Sequence, residues 1–478
     1  MGSPAIVWLR NDLRLDDHPA LAEACRAGGA VLPVFIHPDA DLSPCAPGAA
    51  SRWWLHHSLE RLDAALRARG SRLVLRRGDP AHVLEELARR TGAGSVGWER
   101  KVEPSARRDE ARVREALETL GARCHACAPN LLADPETTLT KSGGPFQVFT
   151  PFWKSASAQA PSPPLPAPAR IPAPDTWPAS LAVEDLGLLP TPDWAAGFRE
   201  AWRPGEAGAA QALADFADGA LSEYPTARDL PGVEGTSRLS PHLHFGEISG
   251  RRIVHELAAR AAARGGAESA AEAWIRQLYW RDFGHHMLFH FPRTETAPLR
   301  ETFAAFPWRD DPDAAEAWRR GRTGYPIVDA GMRELWRTGW MHNRVRMIVA
   351  SFLVKDLLLP WQTGAAWFLD TLVDADAANN TLGWQWTSGC GPDAAPYFRV
   401  FNPVLQGMKF DPDGAYVRRW APELAGLENR WIYRPWEAPA ETLRAAGVTL
   451  GRTWPHPVVD HAAARDRALA AHAHLTRR

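Results

Sequence analysis

The chain has 478 residues, is 45% hydrophobic, and sets 55 basic against 56 acidic residues for a formal net charge of -1. That length and apolar content can bury a large core and suit two domains, while the neutral balance gives no global attraction to nucleic acid, so any such binding must come from a local basic patch. Five scattered cysteines argue against a disulfide framework and for a reducing compartment; with no export signal and no run of about 18 apolar residues, the expectation is a cytoplasmic protein with no membrane partner.

In chain order, residues 5–9 and 30–36 are short apolar runs with turn residues between, reading as buried parallel strands. Helical periods follow at 50–69, 80–91 and 104–120, with strand-like runs at 72–76, 95–98 and 123–128. Strands alternating with helices predict a doubly wound parallel sheet, an α/β domain over residues 1–130. It holds neither a Gly-x-Gly-x-x-Gly fingerprint nor a Walker loop, so nothing in it is a dinucleotide or NTP site by motif. Cys124 and Cys127 have redox-motif spacing but no second pair to complete a zinc site, and read as a structural or incidental pair; no metal is expected. Residues 131–197 read as an interdomain linker, rich in Pro, Ala and Ser over 156–192. Beyond residue 198 the periodicity is helical: 208–218, 248–264, 267–290, 312–320, 327–337, 341–357, 363–373, 440–446 and 460–476. The second domain, 198–478, is expected to be all-α.

Three stretches carry chemistry. Residues 374–386 read Asp-Ala-Asp-Ala-Ala-Asn-Asn-Thr-Leu-Gly-Trp-Gln-Trp. Two carboxylates, an Asn pair and two tryptophans suit a planar hydrogen-bonding ligand, or equally a capped turn beside two buried tryptophans. Thr-Ser-Arg-Leu-Ser at 236–240 offers hydroxyls, backbone donors and a guanidinium, fit for a pyrophosphate or for a helix N-cap. Along 341–357, at about 100° per residue, Asn343, Arg344, Arg346 and Met347 fan across one face opposite Val345, Ile348 and Phe352. That pattern suits a site, or a structural salt bridge.

Together with Gly-Cys-Gly-Pro-Asp-Ala-Ala-Pro-Tyr-Phe-Arg-Val-Phe-Asn-Pro at 389–403, the run 374–386 resembles the flavin-binding signature of the photolyase and cryptochrome family. Glu-Gly-Thr-Ser-Arg-Leu-Ser at 234–240, Gly-Tyr-Pro-Ile-Val-Asp-Ala-Gly-Met-Arg at 324–333 and Trp-Met-His-Asn-Arg at 340–344 agree with it in the family's order. The resemblance runs from about Ile6 to the last twenty residues. It implies an N-terminal antenna domain and an all-α C-terminal domain that binds FAD. Tyr224, Thr236, Ser237, Leu239 and Ser240, with Arg238 inside the motif, match positions that hold the FAD phosphates and ribitol. Arg346 is then expected to pair with Asp374 beside the isoalloxazine, Asp376 to hydrogen-bond the ring, and Asn380 to face N5, where an amide cannot supply a proton.

The resemblance further implies that Trp384, Trp361 and Trp308 form the chain that reduces the flavin from the surface. Trp280 and Trp386 match the walls of a pocket for a flipped-out pyrimidine dimer, which Arg228, Arg281, Asn343, Arg344 and Met347 complete. Gln277 departs from the family: dimer photolyases usually have Glu there, and Gln can donate a hydrogen bond but not a proton. The two histidines of the six-four photolyases are replaced by Asn343 and Met347, and a single cysteine beyond the linker, Cys390, excludes the branch with a four-cysteine iron-sulfur cluster. The stretches 51–58, 240–247 and 321–336 look closer to the class III photolyases, a bacterial group related to plant cryptochromes, than to the main bacterial class. In that group a folate such as methenyltetrahydrofolate stacks on a tryptophan, for which Trp53 or Trp54 would serve if they are not core. Glu99 and Val102 replace residues often seen nearby, leaving a deazaflavin, another flavin or an empty site open. The expectation is a deoxyribodipyrimidine photo-lyase: a light-dependent, monomeric repair enzyme acting on DNA that carries cyclobutane pyrimidine dimers. The alternative is a cryptochrome-type blue-light photoreceptor, against which the missing long tail argues.

Overall fold

The computed structural model describes residues 2–39, 43–393 and 398–476. In chain order the elements are β1 (Ala5–Leu9), α1 (Pro19–Arg26), β2 (Val31–His37), α2 (Ala49–Arg67), β3 (Val74–Arg77), α3 (Pro80–Thr91), β4 (Ser95–Glu99), α4 (Pro104–Thr119), β5 (Arg123–Cys127), α5 (Phe149–Ala156), α6 (Ala196–Ala201), α7 (Glu206–Asp218), α8 (Tyr224–Ala227), α9 (Ser240–His244), α10 (Gly250–Arg264) and α11 (Glu268–His290). They continue with α12 (Pro312–Arg319), α13 (Pro326–Thr338), α14 (Asn343–Ser351), α15 (Trp361–Thr371), α16 (Ala377–Ser388), α17 (Pro403–Phe410), α18 (Ala415–Trp420), α19 (Asn429–Ile432), α20 (Ala440–Ala445) and α21 (His461–Thr476). Among the described residues no helix is long and apolar enough to cross a membrane.

The chain divides into two compact units. The first is Met1–Leu221 with Ser237–Pro292 and Val373–Ala378; the second is Ser222–Thr236 with Arg293–Leu372 and Asn379–Arg478.

In the first unit five parallel strands follow the order β3-β2-β1-β4-β5, with Ala5 registered against Val31 on one side and Ser95 on the other. All five residues of β1 are buried, because helices cover both faces of a parallel sheet. The core joins Ile6, Trp8, Val34, Val96 and Trp98 to Leu84, Leu87, Val113 and Leu117. α3 takes its sequence-predicted bounds: the Asp79 side chain accepts from His82 N at 3.1 Å, Pro80 opens the helix, and Gly92 ends it in the left-handed region at φ 66°. Beyond the strands, buried Arg14 donates to Glu99 Oε1 at 2.5 Å, Asp17 O at 2.7 Å and Gly246 O at 3.2 Å, tying the segment after β1 to that after α9. Gly246 has φ 64°, and a Cβ there would lie 2.1 Å from Asn11 O, so only glycine fits this approach.

In the second unit α13 meets α14 at Gly331, where a Cβ would lie 2.4 Å from Val345 Cγ1. Buried Asp329 accepts from the Thr323 and Gly324 amides at 2.7 and 2.9 Å, fixing the entry to α13. The predicted helix 341–357 is shorter and interrupted. His342 caps it, α-geometry ends at Ser351, and one π-helical turn follows at Phe352–Asp356, all five of its residues buried.

Three expectations are corrected. α1 occupies a stretch read as turn residues, opened by Pro19 and capped by His18, whose Nδ1 accepts from Leu21 N at 3.2 Å. Part of the presumed linker, and several stretches after 198, form short helices (α5, α6, α8, α9, α17, α18, α19) that fall below the length at which apolar periodicity shows. α16 begins inside the run whose bland reading was a capped turn.

Candidate functional site

In the first unit the site centres on Asp376, immediately before α16. Its Oδ2 lies 3.3 Å from His285 Nε2 and 3.8 Å from His244 Nδ1, where α11 and the end of α9 bring two imidazoles to one carboxylate. Burial pushes this carboxyl up, but the charge and hydrogen bonds of His285 and His244 outweigh it and hold it well below the usual carboxylate range. Asp376 and His285 line a cavity with Arg10, Lys101, Glu103 and Arg281. Arg10 follows β1 and Lys101 follows β4, so the cavity opens at the carboxyl ends of the two strands between which the sheet order reverses, the crevice where open α/β sheets take ligands. Neither histidine is visible as a site residue in the sequence. The only signal is His285-His286 within an otherwise aromatic and apolar stretch of α11.

The run 236–240 leads into α9. Arg238 takes the left-handed region at φ 52° and its guanidinium lies 5.5 Å from the Trp202 ring centroid; Ser237 Oγ accepts from Leu239 N at 3.4 Å. Ser240 is exposed as the first residue of α9, and no side chain caps that helix. On α11, Trp280 is half-buried with its ring edge-to-face on Phe149 at 4.5 Å, and Gln277 Nε2 donates to Ala273 O at 3.3 Å. Arg281 is turned inward: it donates to Asn130 O at 3.1 Å and Leu243 O at 3.4 Å and pairs with Asp282 at 3.2 Å. Trp53 and Trp54, candidates for stacking an antenna, are core side chains exposed by only 2% and 0%. Trp53 packs on Phe198 at 5.4 Å, and Trp54 Nε1 donates to Glu247 Oε1 at 3.0 Å. Cys124 and Cys127 lie half-buried on β5 as free thiols, and burial pushes Cys127 up to about 11.

In the second unit α14 realises the predicted face. Val345, Ile348 and Phe352 are buried, while Asn343 is exposed and Arg344, Arg346 and Met347 are half-buried. Arg346 Nε donates to Met341 O at 2.7 Å. Arg344 pairs with Asp229 at 2.8 Å and lies 4.3 Å over the Phe410 ring, so part of this face is the salt bridge that the residues alone also allowed. Tyr224 is buried beneath the Arg228 guanidinium, 5.2 Å from its ring centroid.

On α16, Asn380 and Trp384 stand four residues apart and both face α15. Asn380 Nδ2 donates to Ala365 O at 3.0 Å, and the Trp384 indole covers Gly364. Trp384 is 2% exposed, with Phe368 at 5.1 Å and Trp318 at 6.1 Å as its ring neighbours. Trp361, equally buried, opens α15, and Trp308 is half-exposed against Phe306 at 4.4 Å. Trp386 is half-buried and donates to Asp393 O at 3.1 Å. Residues 394–397 of the 389–403 signature lie outside the described residues.

The donor set fits a flavin. An ionised Asp376 can only accept hydrogen bonds, which suits the N–H edge of an isoalloxazine, and the hydroxyls and guanidinium of 236–240 suit a pyrophosphate.

Comparison with known proteins agrees along the whole chain. The model of the FAD binding domain of DNA photolyase matches residues 274–474, and that of DNA photolyase matches 5–170. A deoxyribodipyrimidine photo-lyase of Agrobacterium fabrum is 49% identical over 98% of both chains. Cryptochrome-1 of Arabidopsis thaliana is 40% identical over 97% of this chain and 70% of its own length. The crystal structure of a class III photolyase from Agrobacterium tumefaciens superposes with a TM-score of 0.96 at 48% identity, covering 100% of this chain and 98% of the other.

Proposed function

Because this chain belongs to the DNA photolyase and cryptochrome family, we infer that it is a deoxyribodipyrimidine photo-lyase, a light-dependent enzyme that splits cyclobutane pyrimidine dimers in damaged DNA. The observation that carries this is the end-to-end likeness to the Agrobacterium fabrum photo-lyase at 49% identity. Reduced FAD, when bound, supplies the light-driven electron and takes it back.

The protein's part is positioning, electrostatics and exclusion of water. In this reading Tyr224 and the run 236–240 hold the pyrophosphate and ribitol, and Arg346, Asp374 and Asp376 hold the ring. Asn380 faces N5 as an amide that neither gives nor takes a proton, which favours repair over signalling. Trp384, Trp361 and Trp308 pass electrons inward from the surface. Trp280 and Trp386 wall the flipped dimer, each stacked base contributing about 1 to 3 kcal/mol, with Arg228, Gln277, Asn343, Arg344 and Met347 around it. Arg281 serves the cavity beside Asp376 more than the rim, since its donors are already directed at carbonyls. An antenna, folate or deazaflavin, would not stack on Trp53 or Trp54, which are buried in the core. The domain limits 1–130, 131–197 and 198–478, a cytoplasmic setting and a monomeric state go with this reading.

The test is repair itself. The flavoprotein is reduced without oxygen, given a thymine-dimer oligonucleotide and illuminated with blue light while restored thymine absorbance is followed. Many turnovers are expected, with Gln277 tolerated. No repair, with FAD bound and reduced, would favour a cryptochrome-type photoreceptor; recovery on Gln277→Glu would trace the defect to that one side chain.

A further inference from the structure

The second unit holds a small open cavity of about 70 Å3 that belongs to none of the flavin roles above. Arg300, Lys355, Phe398, Arg399 and His472 line it, with Trp386 at one edge. Three basic side chains and an imidazole therefore share one cavity, and among the described residues no carboxylate lines it.

Lys355 is the unusual member. It lies in the π-helical turn after α14 and is 1% exposed. Its Nζ donates to Ser388 O at 2.9 Å and stands 3.0 Å from the centroid of the Phe398 ring. A carbonyl and a ring face offer partial charge only, whereas buried ammonium groups are ordinarily paired with an acid. The adjacent Asp356 is engaged elsewhere, with His461 Nδ1 at 2.5 Å. Cys390 cannot serve as counter-ion, because burial pushes its thiol up to about 12. Burial also holds the Lys355 amine well below its ordinary range, Cys390 being the one group that opposes the shift.

The other groups are placed to join Lys355. Arg300 is exposed, anchored by its own N–H to Cys390 O at 2.9 Å, and among the described residues its guanidinium meets only Gly389 O, at 3.4 Å. Arg399 lies 5.1 Å over the Phe401 ring. His472 stacks on Phe398 at 4.3 Å and 18°, and burial followed by the charges of Lys355 and Arg300 lowers its pKa.

We propose that this cavity is a phosphate-oxyanion site, with Lys355 as its buried point charge and Arg300, Arg399 and His472 as further donors. A phosphate supplies a counter-charge to Lys355, and its arrival favours the charged form of the amine. The same chemistry can come from free inorganic phosphate or from the backbone of a bound DNA strand.

The test uses the FAD-loaded protein and inorganic phosphate, titrated calorimetrically near neutral pH in two buffers of different ionisation heat. Saturable binding with more proton uptake than in Lys355→Met is expected, because an anion raises the pKa of a lysine that burial lowers. Lys355→Met should lower the uptake and weaken binding about tenfold or more, and Arg300→Gln should weaken binding while retaining uptake. Retained flavin absorbance reports that each variant is folded. If phosphate instead competes with undamaged oligonucleotide, and Arg300→Gln lowers the slope of log affinity against log salt by about one, the anion is a DNA phosphate. Phosphate bound without such competition identifies the free anion. The proposal is overturned if phosphate binding and the salt slope are both absent or unchanged in the variants, or if phosphate binds equally to Lys355→Met.

Discussion

Gly364→Ala tests whether the position of Trp384 controls light-driven reduction of the flavin. A Cβ at residue 364 would lie 2.0 Å from Trp384 Cη2 and 2.5 Å from Cζ2 and Cζ3. Carbon atoms pack at about 3.5 Å or more, so the indole or α15 must yield by roughly 1.5 Å. The ring has little room, being 2% exposed between Phe368 and Trp318. Overpacking of this kind costs about 1 to 3 kcal/mol, which for a unit of this size lowers Tm by roughly 2 to 12 °C. FAD should stay bound, and the rate of its photoreduction by an external donor should change, because electron transfer depends steeply on the gap between partners. Thermal unfolding and the growth of reduced-flavin absorbance under blue light measure the two effects. A lowered Tm with unaltered photoreduction would refute Trp384 as the step next to the flavin. An unaltered Tm would refute the collision.

Trp280→Ala removes one wall of the lesion pocket and should weaken dimer-DNA binding by about 1 to 3 kcal/mol with FAD retained; a gel-shift titration decides, and loss of FAD would place the ring in the cofactor site instead. Asp376→Asn deprives His244 and His285 of their charge partner and the cofactor of an ionised acceptor, so the ratio of flavin to protein absorbance after gel filtration should fall; full retention of FAD would contradict the role given to Asp376. His286 Nε2 accepts from Phe146 N at 3.0 Å and His342 Nδ1 accepts from Arg344 N at 3.2 Å, so each is buried neutral, and burial lowers both from 6.5 to about 4. The unfolded imidazoles bind protons first, so stability falls as pH drops from about 6.5 toward 4, by about 2 kcal/mol at pH 5 for each residue. His286→Gln keeps an acceptor but does not titrate. Denaturant midpoints at pH 7 and pH 5 should lie closer together in that variant than in the parent, and an unchanged gap would mean that His286 is not the group responsible.

The legibility of this chain follows from how each contact is made. Strands β1 and β2 were readable because a parallel strand covered on both faces is a continuous apolar run, and α3 because cap, proline and terminal glycine all lie within its own sequence. The start of α16 was not, since two asparagines and a glycine are poor helix formers and only packing onto α15 overrides them. That helix is what turns the same face of Asn380 and Trp384 toward one neighbour, a relation that the sequence spacing permitted but the turn reading did not predict. The residues proposed for flavin and lesion came only from family motifs, because the runs 234–240, 340–344 and 374–386 lie unbroken in the sequence. The His244 and His285 clamp on Asp376 was not, because three distant segments contribute one residue apiece. Lys355 is hidden for a third reason: side chains at i and i+1 do not face each other on a helix, so its place beside Asp356 says nothing of its contacts, and in the structure both are buried in a π-helical turn with Asp356 paired to His461.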